Sequence, residues 1–158
     1  MFVLPEDDAN RQLANGFVLE LDPILSRNIQ VLPEVGGWLE VLEYFKNDHV
    51  AGMNRYPERF LVFLLDFDGR QDRLEQAKAA VPDNLADRVF ILGTLTEPEE
   101  LKRANLGSYE AIGAMLARDC RDGTDTLWQH ELLRHNAREV ERLRQYVRPI
   151  LFESTANA

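Results

Sequence analysis

Phe60 to Leu65 are six consecutive apolar residues with no polar interruption. Such a run reads as a strand buried on both faces, as in a parallel sheet covered by helices. It stops at Asp66-Phe67-Asp68-Gly69-Arg70. The same grammar recurs along the chain. Phe2-Val3-Leu4 ends in Pro5-Glu6-Asp7-Asp8 and leads into a helical pattern from Ala9 to Val18, with Asp7 or Asp8 placed to cap it. Ile29 to Val35 reads as a second strand closed by Gly36-Gly37, after which Trp38, Leu39, Val41, Leu42 and Phe45 recur at helical spacing. Residues 47 to 58 have loop composition. A helix is expected from about Gln71 to Val81, with Leu74, Ala77 and Val81 inward, before Pro82-Asp83-Asn84 stops it. Val89 to Gly93 is the fourth strand, and Thr96-Glu97-Pro98-Glu99 has the form of a capping box opening a helix through Leu101 to Ala104.

Strands and helices thus alternate, with crossovers long enough to require parallel neighbours. The last third changes character. From Ser108 onward the pattern holds no strand: a helix through Ile112, Met115 and Leu116, a break at Asp122-Gly123, and a long helix from about Thr124 to Val147. Leu133, Ala137, Val140, Leu143 and Val147 mark its buried stripe, and Pro149 ends it. The expected architecture is a three-layer, Rossmann-like α/β fold with a largely parallel four-stranded sheet and a helical C-terminal third. The expected domain is residues 1–152, with a core over 1–95, a helical extension over 96–152 and a frayed tail at 153–158.

Composition narrows the functional classes. Of 158 residues 45% are hydrophobic and 28% charged, an ordinary balance for one domain. Cys120 is the single cysteine, so neither an internal disulfide nor a cysteine metal cluster can form. Met1-Phe2-Val3-Leu4 is too short an apolar run for an export signal, and no stretch approaches the roughly 18 apolar residues of a membrane span. The expectation is a cytoplasmic protein with no membrane partner. Its 27 acids against 18 Lys plus Arg give a net charge of -9, which argues against coating nucleic acid through general basic charge. An enzyme that meets phosphates at a divalent cation stays open, because the ion reverses the local sign.

Candidate chemistry gathers at the strand ends. If β conformation persists past Leu65, Asp66 and Asp68 leave on one face and Phe67 on the other. In a parallel sheet the turns after the first three strands share one edge, where open α/β sheets bind ligands. Glu6 with Asp7 and Asp8, Gly36-Gly37, and Asp66 with Asp68 would then converge. Such an acidic rim suits Mg²⁺ or Mn²⁺, which favour oxygen ligands and commonly work on phosphates. The plainer alternative makes Asp7 and Asp8 helix caps, Gly36-Gly37 a turn and Asp66 and Asp68 a solvated strand end, in a binding or scaffold domain without catalysis.

A glutamate closing the first strand, a glycine turn opening the second helix and an Asp-x-Asp at the end of the third strand resemble the TOPRIM domain over about residues 1 to 95. That is the Mg²⁺-dependent fold of topoisomerases, primases and OLD-type nucleases. The resemblance implies phosphodiester chemistry on a nucleic acid, with Glu6 as general acid or base and Asp66 and Asp68 as metal ligands. Asp7 stands where the family usually has glycine after the glutamate, and Gly69-Arg70 where a third acid often follows. Glu6-Asp7-Asp8 followed by Arg11 also looks like the acidic pair of a response-regulator receiver domain. There Asp66 would be the phosphoacceptor and Thr94 the switch hydroxyl. Receivers, however, keep a lysine after a fifth strand, whereas Lys102 falls in a predicted helix.

Other residues weigh less. Arg134, Arg138 and Arg142 step by four and would share a helical face, with Arg148 beyond, open to a phosphate backbone or an acidic surface. Glu131, Glu139 and Glu141 stand close enough to neutralise them. His130 and His135 are five apart, the wrong spacing for two zinc ligands on one face. His49 lies in the polar loop, and Cys120, with only Arg118 and Arg121 as basic neighbours, is open to a nucleophile's role but reads better as a buried structural thiol. No phosphate-binding glycine loop, GxSxG elbow or GxGxxG motif is present.

Overall fold

The computed structural model describes residues 1–153; the remainder of the expected tail, 154–158, lies outside the described residues. Four strands, β1 (Phe2–Pro5), β2 (Gln30–Val31), β3 (Leu61–Asp66) and β4 (Val89–Thr94), form an all-parallel sheet in the order β2-β1-β3-β4. β1 pairs with β3 from Phe2 opposite Leu61 to Pro5 opposite Leu64, and β3 with β4 from Leu61 opposite Val89 to Asp66 opposite Thr94. Alternate residues of β3 feed two cores. Leu61, Phe63 and Leu65 join one, with Val41, Phe45, Met53, Ala77 and Leu85. Val62 joins the other, with Leu13, Ile112, Leu116, Val140 and Leu143, and Leu64 packs against it. The unbroken apolar run is thereby explained: each face of this strand is covered by helices.

One layer contains α1 (Asp8–Leu19), α6 (Tyr109–Asp122), α7 (Ala137–Tyr146) and α8 (Arg148–Phe152); the other contains α2 (Trp38–Tyr44), α3 (Val50–Arg55) and α4 (Gln71–Ala79). α5 (Pro98–Arg103) follows β4. α1 and α6 meet backbone to backbone. A Cβ at Gly16 would lie 2.0 Å from the Glu110 carbonyl oxygen, and one at Gly113 2.0 Å from that of Leu13, so both positions need glycine. Among the described residues no helix is long and apolar enough to cross a membrane.

Several local expectations need correction. β2 shrinks to two residues: beyond it Leu32 N–H still bonds the Val3 carbonyl, but the next donor due from β1, Pro5, has no N–H to give the Leu32 carbonyl. The segment 47–58 is not all loop. α2 runs through a π turn, Phe45–His49, into α3, because Val41, Phe45 and Met53 keep one face buried at 0% exposure. His49, expected in a polar loop, is buried in that turn against the rings of Phe2 and Tyr44. At β4's end Glu97, not Thr96, is the N-cap of α5, and it makes no side-chain cap bond, so the capping box does not form.

The long C-terminal helix is also broken. Asp119, 4% exposed, accepts hydrogen bonds from the Thr124 hydroxyl and from the N–H groups of Leu127 and Trp128, fixing the turn after α6. Arg134–Asn136 is a 3₁₀ turn, and Pro149 opens α8 instead of ending a helix, since a first-turn proline forfeits no helical bond. This rearrangement serves the sheet. β4 is an edge strand whose outward polar groups are met by α7 and the turn before it. Asn136 Oδ1 accepts from Gly93 N–H at 3.1 Å while its Nδ2 donates to the Gly93 carbonyl at 2.8 Å. Glu139 Oε2 accepts from Ile91 N–H at 3.0 Å, Arg142 donates to the Val89 carbonyl, and Leu95 N–H bonds the Leu132 carbonyl. Asn136→Ala should strand both Gly93 groups in a dry site, lowering unfolding free energy by about 3 kcal/mol in urea titration; a loss under about 1 kcal/mol would mean water replaces the amide.

Candidate functional site

The turn after β1 is built by Asp7, the N-cap of α1, whose carboxylate accepts from Asn10 N–H at 2.9 Å and Asn10 Nδ2 at 3.1 Å. Gly36, at φ +97°, donates its N–H to the Glu6 carbonyl at 2.9 Å; a left-handed backbone explains the glycine there. Gly37 is the N-cap of α2. The glycine turn after β2 therefore abuts the acidic turn after β1, as the shared sheet edge requires.

Parallel pairing of β1 with β3 brings Glu6 to Asp66. Glu6 Oε2 accepts from the Asp66 N–H at 2.8 Å, continuing the sheet with a side chain. Asp66 itself is 8% exposed, and its Oδ1 accepts from Asn10 Nδ2 at 2.8 Å. No cation offsets that carboxylate. Burial, reinforced by the charges of Asp7, Glu6 and Asp68, pushes the Asp66 carboxyl up to about 7 against the pull of the Asn10 bond. Burial likewise raises Glu6, only partly countered by the Asp66 N–H and by Arg73.

The second acid does not follow the strand. Extended backbone stops at Asp66; Asp68 adopts φ +49° and Gly69 φ +66° in a turn tied to the neighbouring segment by Asp68 N–H to the Thr96 carbonyl and Gly69 N–H to that of Leu95. The exposed Asp68 carboxylate meets Arg73 of α4 at 2.7 Å. Asp66 and Asp68 therefore do not share a strand face, and only Phe67 behaves as expected, buried at 4%. Arg70 leaves the rim altogether: it is exposed and bonds Asp72 through both Nε and Nη2. Among the described residues no three His, Cys, Asp or Glu side chains stand together as a ready metal cage.

Two residues missed from the sequence complete the picture. Asn10, fully buried, reads as one polar position in a helical pattern, yet it joins Asp7 to Asp66. Arg73, 12% exposed in its side chain, donates Nη1 to the Asp66 carbonyl at 2.7 Å as well as Nη2 to Asp68. Its spacing from Asp68 across a turn and into a helix was the available signal. Thr94 is the register partner of Asp66, so the two side chains leave the sheet on one face. The Thr94 hydroxyl and the Asn10 carboxamide oxygen are both buried without a partner.

A structural aspartate in the same protein behaves oppositely. Burial pushes Asp119 up as well, but the Thr124 hydroxyl and several N–H donors outweigh it and leave the group below its ordinary value. Asp119 is satisfied by its own fold; Asp66 is not.

The remaining candidates separate from this rim. Arg142 turns into the β4 edge and pairs with Glu139, and Arg134 sits in the 3₁₀ turn while Arg138 is on α7, so the three arginines form no continuous basic face. The Cys120 thiol is buried and pushed up to about 11, as suits a structural thiol. Lys102 lies on α5 with its ammonium 4.4 Å over the Tyr109 ring, and the described sheet has four strands. Comparison with protein-family models, with curated proteins and with solved structures returns no match.

A raised carboxyl has a pH signature. The folded Asp66 value of about 7 exceeds the ordinary 3.8, so folding favours the protonated acid, and stability falls as pH rises from about 4 to 7. Asp66→Asn keeps the acceptor for Asn10 and removes the charge. It should raise Tm by roughly 5 °C at pH 8, with the gap closing toward pH 5; thermal scans showing the same gap at both pH values would assign Asp66 an ordinary titration.

Proposed function

We propose that this chain is a small TOPRIM-like protein that binds Mg²⁺, or Mn²⁺ in its place, at the carboxyl edge of its sheet and acts on phosphodiesters of a nucleic acid. The observation that carries the reading is the Asp66 carboxylate: buried, short of donors and without a cation, at the end of a central parallel strand, with Glu6 bonded to its N–H. Ligand chemistry fits, since every donor is a hard oxygen and the buried Asp66 carboxylate has no cation beside it. Asp66 and Asp68 are the residues that would hold the ion, and Asp68 must first release Arg73. When bound, the cation supplies charge neutralisation and polarisation at a phosphoryl oxygen.

Glu6 supplies proton transfer. Its carboxyl is raised by burial, which moves it toward the range useful to an acid or base near neutral pH. Oε2 is engaged by the Asp66 N–H, so Oε1 is the atom that gives or takes the proton. That same bond fixes the carboxylate plane against the strand.

Calorimetric titration of the protein with Mg²⁺ should give a saturable heat that Asp66→Asn with Asp68→Asn abolishes. Glu6→Gln should retain that heat and lose Mg²⁺-dependent cleavage of plasmid or single-stranded DNA by a factor of about 100. Absence of Mg²⁺ heat in the unmodified protein would leave the cluster structural and return the fold to a binding or scaffold role.

A further inference from the structure

Arg73 does two jobs with one guanidinium. Nη1 is anchored on the Asp66 carbonyl at 2.7 Å, and the group lies 5.2 Å from the ring centre of Trp38, the first residue of α2. Those contacts hold the side chain at the rim whatever Asp68 does. The opposite edge, formed by Nε and Nη2, is the fork that receives a phosphate or carboxylate through two parallel bonds. Only half of it is used. Nη2 meets one Asp68 oxygen at 2.7 Å, while Nε is buried without a partner. Elsewhere in the chain the same edge closes fully: Arg70 grips Asp72, and Arg118 grips Glu20, through Nε and Nη2 together.

The pair with Asp68 is also a weak hold. Asp68 is 47% exposed, and ion pairs open to water contribute little. Nearby, the buried Thr94 hydroxyl, on the face from which Asp66 projects, and the buried Asn10 carboxamide oxygen lack partners, so the rim's polar groups are not closed on one another.

We infer that Arg73 is the phosphate-binding residue of this site, kept in reserve by Asp68 and released when a divalent cation takes that carboxylate. This rests on the metal reading above. The built-in cation and the incoming one compete for Asp68, and loading would free a two-pronged anion receptor beside the metal. The substrate class that fits is a phosphodiester, whose free oxygens would meet the Nε and Nη2 edge of Arg73 while a bound cation would supply charge neutralisation. No group is transferred in this exchange.

Two titrations of the full chain test it, one with Mg²⁺ alone by calorimetry and one with a fluorescein-labelled phosphorothioate oligonucleotide at saturating Mg²⁺ by anisotropy. Arg73→Gln should bind Mg²⁺ about ten-fold tighter, because Asp68 is already free, and should bind the oligonucleotide at least ten-fold more weakly. Arg73→Lys keeps the charge and loses the fork, so its Mg²⁺ affinity should stay near that of the unmodified protein while oligonucleotide binding still weakens several-fold; it also serves if the glutamine variant folds poorly. Mg²⁺ heat in the unmodified protein with unchanged Mg²⁺ or unchanged oligonucleotide affinity in both variants overturns the role of Arg73 alone. No Mg²⁺ heat in any form overturns the metal reading and this inference together.

Discussion

Because β1 lies beside β3 with Phe2 opposite Leu61 and Pro5 opposite Leu64, the chain leaves both strands at nearly the same height, and the residues that follow are forced into company. The pairing is driven by apolar burial on two faces, with Leu4, Leu61, Phe63 and Leu65 on one side and Val3 and Val62 on the other. Nothing in that driving force concerns charge. Yet its by-product is a turn bearing Glu6 and Asp7 set against a strand end bearing Asp66. Acids so distant in the chain become neighbours because the hydrophobic register leaves them no other place. The Glu6 carboxylate then finishes the ladder by taking the Asp66 N–H, so the electrostatic strain is welded to the sheet.

That strain is selective. Asp119, just as hidden, gathers a hydroxyl and several N–H donors and titrates low, as an acid used for architecture should. Asp66 has a single amide donor and titrates high. Two buried aspartates in one small chain thus mark the difference between a group the fold has finished and a group it has left open. Unsatisfied atoms at Asn10 and Thr94 lie at the same place, which argues that the deficit belongs to the rim and not to one residue.

The layers and the alternation of strands with helices were legible because they follow from long patterns: an uninterrupted apolar strand, and helices whose period repeats over several turns. Glu6, Asp7, Gly36 and Asp66 were legible for the same reason, since strand ends in a parallel sheet share an edge. Asp68 was not placed correctly. Two residues of spacing predict a shared face only while the backbone stays extended, and the left-handed turn at Asp68 and Gly69 ended that one residue too soon. Arg73 and Asn10 were invisible because each acts across elements, through contacts with no local period. The C-terminal third misled in another way. A stripe of apolar residues from Leu133 to Val147 looked like one helix, but the demands of an open sheet edge bent the segment before α7 so that Asn136 could reach Gly93.

That bend has a consequence for how the molecule meets its surroundings. Exposed sheet margins invite a stranger's backbone to continue the ladder, and proteins guard against it with charge, curvature or cover. Here amide, carboxylate and guanidinium groups imitate the missing neighbour strand along β4, and the other margin, β2, offers only two residues of template. Fibril-like growth by stacking one copy's sheet onto the next is therefore closed on one flank and starved on the other.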